Sequence, residues 1–534
     1  MIENKEREYI SLEVLLKRSD TNPVNKKFFE LLEESATKEE FTEKWHPFID
    51  EQKDTEECLD FSNFKFDINN QETKNTFKFF ATRRGRWDFS NITFFNANFA
   101  NSTFEGDAKF WNSTFEGDVH FLQSTFKGKV HFLQSTFKGR VHVLDSAFKG
   151  NAYFHESTFE GDAKFWNSTF EGDVNFLNST FEGNANFQES TFEVDAKFES
   201  LNLEISYSNI LTKLTLSRDK EIKDFFDKQD QKEILKEIKK LSNDSDKGEE
   251  GKKKIELLLN NFVKHFKKDK IPAFRRIVNC CKSILSKNLN HKTNTLRESL
   301  YDLKIKEDIS NKFDLSKCSF NKQFLFSLRD NKKIYIQTIL DIDATSFTEY
   351  TYFNLTKLEK LPNIYKSHIS NLQNLRIDDN RERSLKELSG NNDKNNLQFF
   401  RKFYKEKLDH HKYLDFSSAE LEKKIREDKI SYDNIIIWFY KIFSGYGRSI
   451  KRPIIVWLIF NFIPLIFRVI CNSCKDDNLI SYQIFIKSIF PVYFPKSLDN
   501  IEVATMIFMW FQTPINLILL FLIGLGIKNR INIK

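Results

Sequence analysis

Residues 102–134 read STFEGDAKFWN, STFEGDVHFLQ, STFKGKVHFLQ, and this eleven-residue unit runs on without a gap to Ser200, nine units in all. Its large apolar positions advance by six and five residues in turn: Phe104, Phe110, Phe115, Phe121, Phe126, Phe132, Phe137, Val143, Phe148, Phe154, Phe159, Phe165, Phe170, Phe176, Phe181, Phe187, Phe192 and Phe198. Just upstream, Phe89, Phe94, Phe99 and Phe104 step by five. An eleven-residue period also suits a right-handed supercoil of helices, but that needs apolar residues at three- and four-residue steps. Steps of five and six scatter Phe around a helix, and the residues between are Ser, Thr, Asn, Asp and Gly, which favour turns. A coil of short strands fits instead. Each Phe points inward, and the small or β-branched residue two before it (Ser102, Ala108, Ser113, Val119) points in beside it, as strand alternation requires.

A central Phe with a small residue two positions earlier resembles the unit of the pentapeptide-repeat proteins. The resemblance implies a right-handed, four-sided β-helix in which two units make one coil of 22 residues. Nine units then give about four and a half coils, roughly 22 Å at a strand spacing of about 4.8 Å. One interior column would be Phe104, Phe126, Phe148, Phe170 and Phe192; another would be Phe121, Val143, Phe165 and Phe187, with Val143 a thin rung. The residue added to each pair of fives falls at a corner glycine, Gly106 through Gly183, as a positive-φ corner would require. Val194 stands where the ninth glycine is due, so the regular ladder is expected to end near it. Its other end is expected near Phe61 and Phe66, behind an amphipathic helical segment (9–48) that caps the open coil.

The whole chain, 534 residues, is too long for one core. We divide it into a helical N-terminal cap (1–57), the β-helix (58–210), a charged helical insertion (211–308), a degenerate second β-helical segment (309–395) and a helical juxtamembrane region (396–452). A C-terminal hairpin of two membrane spans (453–470 and 504–527) within 453–534 completes it. The fold class is therefore mainly β plus α. The insertion rests on KEILKEIKKL and KKKIELLLNNFVKHF on either side of NDSDKGEEG, and the second β segment rests on Leu315 and Phe320, again five apart.

The second apolar run is ample and the first is just sufficient to cross about 30 Å of hydrocarbon. Arg448, Lys451 and Arg452 precede the first, and Lys528, Arg530 and Lys534 follow the second. The positive-inside rule then places both termini in the cytoplasm and 471–503 in the periplasm of a bacterial inner membrane. GYGRSIKRP (445–453) and LGIKNR (525–530) are similar to the strings that enter and leave the spans of membrane-bound bacterial pentapeptide-repeat proteins. Upstream, Ser417 with Glu420 three later reads as a helix-capping box. Residues 401–452 carry 13 basic and 8 acidic side chains, an excess that anionic lipid attracts.

Catalytic signatures are missing from the sequence: there is no Walker A, G-x-S-x-G, HExxH or dinucleotide fingerprint, so no cofactor is expected. Gly445-Tyr446-Gly447 precedes both spans, which suits a turn rather than an ion filter. His120, His131 and His142 precede inward residues and so point outward, as exposed variation rather than metal ligands. Cys471 and Cys474 form a lone CxxC, open to a disulfide or redox role. With 82 basic and 76 acidic residues, net +6, nucleic acid is not expected as a partner. The function expected is a non-enzymatic scaffold at the cytoplasmic membrane face, its partners the lipid bilayer and an unidentified protein. Two alternatives are weighed. One is a DNA mimic that inhibits a type II topoisomerase, an activity known in the family this ladder resembles; 15 acidic against 8 basic residues in 102–200 favour it, whereas Lys127, Lys129, Lys138, Arg140 and Lys149 interrupt the acidic stripe. The other is a small channel made by a homo-oligomer, resting on Gln512, Thr513 and Asn516 in the second span.

Overall fold

Each unit folds into two very short strands separated by corners: Thr103–Phe104 and Asp107–Lys109, Thr114–Phe115 and Val119–His120, and so on to Ala196–Leu201. In this computed structural model the described residues are 9–51, 57–82, 84–203, 210–211, 214–216, 220–241, 248–269, 311–329, 339–358, 360–379, 383–385, 388–389, 394–427, 432–446, 449–459 and 515–528. They divide into two units, Met1–Arg381 and Glu382–Lys534.

Among the described residues of the first unit the strands form four parallel sheets, the four faces of a β-helix. Face I has eight strands from Leu59–Asp60 onward and face II nine from Lys65–Phe66; face III has nine from Arg86–Asp88 and face IV five from Thr93–Phe94. The register is the two-unit one: Phe104 lies beside Phe126, then Phe148, Phe170 and Phe192. Backbone bonds join successive coils, with the N–H groups of Phe110, Phe132 and Phe154 donating to the carbonyls of His131, Tyr153 and Asn175 at 2.7, 2.7 and 2.8 Å. Inside, the rings stack nearly flat, Phe104 on Phe126 at 5.0 Å and 4° and Phe148 on Phe170 at 4.7 Å and 11°. All seventeen repeat phenylalanines are buried, and so is Val143.

Three features of the unit have distinct physical causes. The opening serine is buried, and its hydroxyl donates to the carbonyl of the inward residue that precedes the coil beneath: Ser124 to Phe99 at 2.6 Å, Ser168 to Val143 at 2.6 Å and Ser190 to Phe165 at 2.6 Å. The last residue of the unit turns the chain with positive φ, at Asn112, Gln123, Gln134, Asp145, Glu156, Asn167, Asn178, Glu189 and Ser200. The repeat glycines do not have positive φ, contrary to the sequence expectation. They are needed for closeness: a Cβ on Gly139 would lie 2.2 Å from the carbonyl carbon of Gly117 one coil away, and one on Gly150 would lie 2.4 Å from Gly128 O. Val194, in the place of the ninth glycine, is an exposed side chain at its corner.

The regular eleven-residue units end at Ser200, but the sheets go on. After the insertion, residues 311–378 resume the same sheets, with Phe313 beside Ala185, Ser319 beside Thr191 and Phe324 beside Ala196. The ring column runs on through Phe192–Phe320 at 4.7 Å and Phe320–Phe347 at 5.3 Å. Cys318 and Thr345 occupy the serine position and make its bond, to Phe187 O at 2.8 Å and Leu315 O at 2.7 Å.

Helices α1 (Leu12–Lys17), α2 (Pro23–Glu34) and α3 (Lys38–Glu51) cover the first coil. Phe28 packs edge-on against Phe61 at 5.4 Å and stacks with Phe80 at 5.8 Å. The edge strands, whose backbone groups have no strand beneath them, bond to cap side chains. The Asn25 amide donates to Asp60 O at 2.9 Å and accepts from Asp60 N–H at 2.8 Å, while Trp45 Nε1–H donates to Thr93 O at 2.8 Å. A short helix α4 (Gln71–Thr76) interrupts the first coil. Further on, α5 (Lys220–Phe226), α6 (Gln229–Leu241) and α7 (Gly248–Asp269) share a core that includes Phe225, Leu258, Leu259 and Phe262.

The second unit contains α8 (Lys394–Glu406), α9 (His410–Glu427) and α10 (Tyr432–Ser444), with further helices at 451–459 (α11) and 515–528 (α12). Phe416 stacks on Phe400 at 5.3 Å and on Tyr404 at 5.4 Å. The expected capping box is displaced, because Ser417 lies inside α9; the helix is capped by Asp409, whose carboxylate accepts the Lys412 N–H at 3.0 Å. Among the described residues no helix is long and apolar enough to cross a membrane. Residues 460–470 and 504–514 of the two expected spans lie outside the described residues.

Candidate interaction surfaces

Strand alternation sends the residues beside each inward pair outward, where the coil sets no demand on their chemistry. They interact along columns spaced by one coil. Lys127 bonds Glu105 at 2.9 Å, which also meets Lys65 at 3.1 Å, and Lys138 bonds Glu116 at 2.8 Å. Burial alone would raise the Glu105 carboxyl, but the bonds from Lys127 and Lys65 hold it below the ordinary range. The acidic side chains are thus partly neutralised, which disfavours a continuous phosphate-like stripe. On face I, His120 stacks on His142 at 4.7 Å, and His131 is on face III. Among the described residues no three His, Cys, Asp or Glu side chains gather to hold a metal.

Face III carries the most distinctive surface, an open groove of about 450 Å³ that crosses four coils. On its floor His131 stacks on Tyr153 at 5.0 Å, and Tyr153 on His155 at 5.7 Å. Trp111 stands at the side, 49% exposed, its Nε1–H bonded to Gln134 Oε1 at 3.1 Å; Gln134 in turn donates to Glu156 at 2.9 Å. Arg86, Lys109 and Lys129 supply positive charge, and Asp107 meets Arg86 at 3.3 Å. Burial lowers the pKa of His131 and His155, so both imidazoles are neutral near pH 7. This groove was not legible in the sequence, because its residues are about 22 apart and become neighbours only by stacking. Once two units are taken as one coil, that spacing is itself the signal.

In the second unit Glu422 is buried and held by three donors: Lys441 at 2.8 Å, Tyr446 Oη at 2.7 Å and Arg426 at 3.3 Å. From the GYGRSIKRP string, Tyr446 completes this site. Gly445 and Tyr446 both have positive φ, a turn that puts the Tyr446 ring inside. Ser449 Oγ accepts the Arg452 N–H at 3.2 Å and so caps α11, while Pro453 falls in its first turn, where no N–H is needed. Gly526, near the end of α12, approaches the start of α11: a Cβ there would lie 3.0 Å from Ile450 Cγ1. Cys471 and Cys474, with Gln512 and Thr513, lie outside the described residues.

Four stacked parallel sheets, a dry aromatic interior and freely varying outer columns define a repeat protein of the β-helix class. The family model described as pentapeptide repeats (9 copies) matches residues 121–169 and 154–200, and this stretch of the chain is built of pentapeptide repeats. No curated protein and no solved structure matches it.

Proposed function

We propose that the protein is a non-enzymatic, membrane-anchored scaffold that holds its ladder at the cytoplasmic face of a bacterial inner membrane for protein partners to bind. The observation that carries this proposal is the reversal in where apolar side chains point. The ladder keeps them inside, whereas α11 and α12 turn many of theirs out: Ile455 is 51% exposed, Leu517 and Ile518 57%, and Phe521 68%, while Leu519 and Leu522 are buried. Such faces suit hydrocarbon, and the approach of Gly526 to Ile450 suits an antiparallel hairpin closed at its cytoplasmic end. A right-handed winding belongs to the same proposal, as the usual sense of parallel crossovers.

Two measurements test it. The full chain expressed in bacteria should stay with membranes through alkaline carbonate extraction. Cys471 and Cys474 should react with a membrane-impermeant maleimide added outside spheroplasts, while the buried Cys318 should not. Release of the chain by carbonate would refute the anchor.

A further inference from the structure

We propose that the face III groove is a docking site for a short acidic peptide segment of a partner protein that carries an aromatic or large apolar side chain. The inference rests on the scaffold proposal for its premise that partners meet the outside of the ladder.

Three observations lead to it. The first is charge: residues 102–200 as a whole are acidic, 15 carboxylates to 8 basic groups, yet Arg86, Lys109 and Lys129 line the groove against one carboxylate, Asp107. Second, this charge is available. Lys127 and Lys138 on neighbouring columns are paired with Glu105 and Glu116, whereas Lys109 and Lys129 have no ion pair among the described residues. Third, the aromatic content has no structural cause. The Trp111 position is filled in other units by Leu, His, Trp, Gln or Glu, and the Tyr153 position by Lys, His or Asn, without disturbing the coil, and Trp111 is held upright by Gln134. His155 Nδ1 is buried without a hydrogen-bond partner, a polar atom that a bound segment could satisfy.

The size of the cationic patch selects the occupant. The charge spans three coils, about 10 Å, which matches about three residues of extended peptide. A single-stranded nucleic acid also favours aromatics with cations, but its phosphates would next meet Asp173 and Asp195 on the same face. Backbone groups within the sheet are already paired between coils, so recognition must use side chains: carboxylates to Lys109 and Lys129, and a ring or aliphatic group against Trp111 and Tyr153.

The test uses the full chain in detergent and the fluorescein-labelled peptide Glu-Glu-Phe-Glu-Glu, read by fluorescence anisotropy at low salt. Binding is expected, weakened about tenfold or more by Lys109→Glu with Lys129→Glu and by Trp111→Ala. Lys164→Glu on face I should bind as the wild type does, and thermal unfolding of all variants should match, since every changed side chain points outward. The inference is overturned by no binding to the wild type, by equal binding to the groove variants, or by tighter binding of a labelled oligothymidylate. Binding that survives the groove changes, with the peptide crosslinking to another face, would remove the groove and leave the scaffold proposal standing.

Discussion

Replacing Gly139 by alanine separates two physical roles for glycine by the sign of the effect. Gly139 does not have positive φ, so its backbone conformation is open to alanine. Were conformation the only issue, alanine would stabilise the chain by about 0.4–1 kcal/mol through the unfolded state. The packing says otherwise. The new Cβ would lie 2.2, 2.3 and 2.6 Å from Gly117 C, Gly117 O and Asp118 N, all backbone atoms. Normal contacts are near 3.5 Å, so two coils must separate locally by roughly an ångström, breaking corner geometry that the next coil also uses. Overpacking of this kind costs about 1–3 kcal/mol, so Gly139→Ala should destabilise. Because repeat arrays open locally, amide hydrogen exchange at residues 116–119 and 138–141 is the proper assay, with urea unfolding alongside. Gly524→Ala, a helical position with open space around it, should move the other way. Unchanged or slower exchange in Gly139→Ala would refute the close-approach account of the repeat glycine.

Phe148→Ala removes a buried ring that stacks on Phe126 and Phe170 at 5.0 and 4.7 Å, and should cost about 3–5 kcal/mol in urea unfolding. Asn25→Ala strips the Asp60 backbone of both cap bonds and should cost about 1–3 kcal/mol, with a rise in aggregation measured by light scattering. Cys318 is buried and its thiol pushed well up by burial, so a disulfide reagent at pH 8 should leave it unreacted until urea unfolds the ladder. Glu422 is held below the ordinary 4.5: burial opposes ionisation, but Lys441, Tyr446 and Arg426 outweigh it. A depressed folded value means that its stabilisation is full above about 4.5 and is lost as pH falls through the folded value. Acid titration followed by exchange in α9 and α10 should show this loss, and Glu422→Gln should remove it.

Much of the ladder was legible in the sequence because a two-unit repeat leaves its period in the inward residues. Steps of six and five exclude a helix, and they place Phe104, Phe126 and Phe148 in one column, where the structure has them. What was not legible depends on contacts between coils. The serine looks merely small until the carbonyl beneath it is seen, and the glycine looks like a turn former until the neighbouring backbone is placed. Asn112, Gln134 and Glu156 share positive φ without sharing a side chain, so no residue type marked the turn. The resumption of the sheets after the insertion left the strand-like pieces FDLSKCSF, KKIYIQTILDI and TSFTEYTYFNLTKL and the Leu315–Phe320 step as clues, since the insertion had broken the period. Ser417 misled for a local reason: Asp409 begins α9 earlier, and a serine inside a helix can bear the same spacing to a glutamate.

The serine bond also explains why the outer columns can vary so freely. In a coil held only by apolar rings, vertical register would depend on ring shape, and one thin rung such as Val143 would loosen it. Here the Val143 carbonyl still accepts from Ser168 at 2.6 Å, and the two coils are joined by a bond indifferent to the missing ring. Cys318 and Thr345 keep that bond with different donors, so the donor is retained even where the residue changes. Register is therefore fixed from within by a polar ladder and an aromatic one together. The outward positions carry none of that burden, and a tryptophan, two histidines and a tyrosine can gather on face III without cost to the coil that presents them.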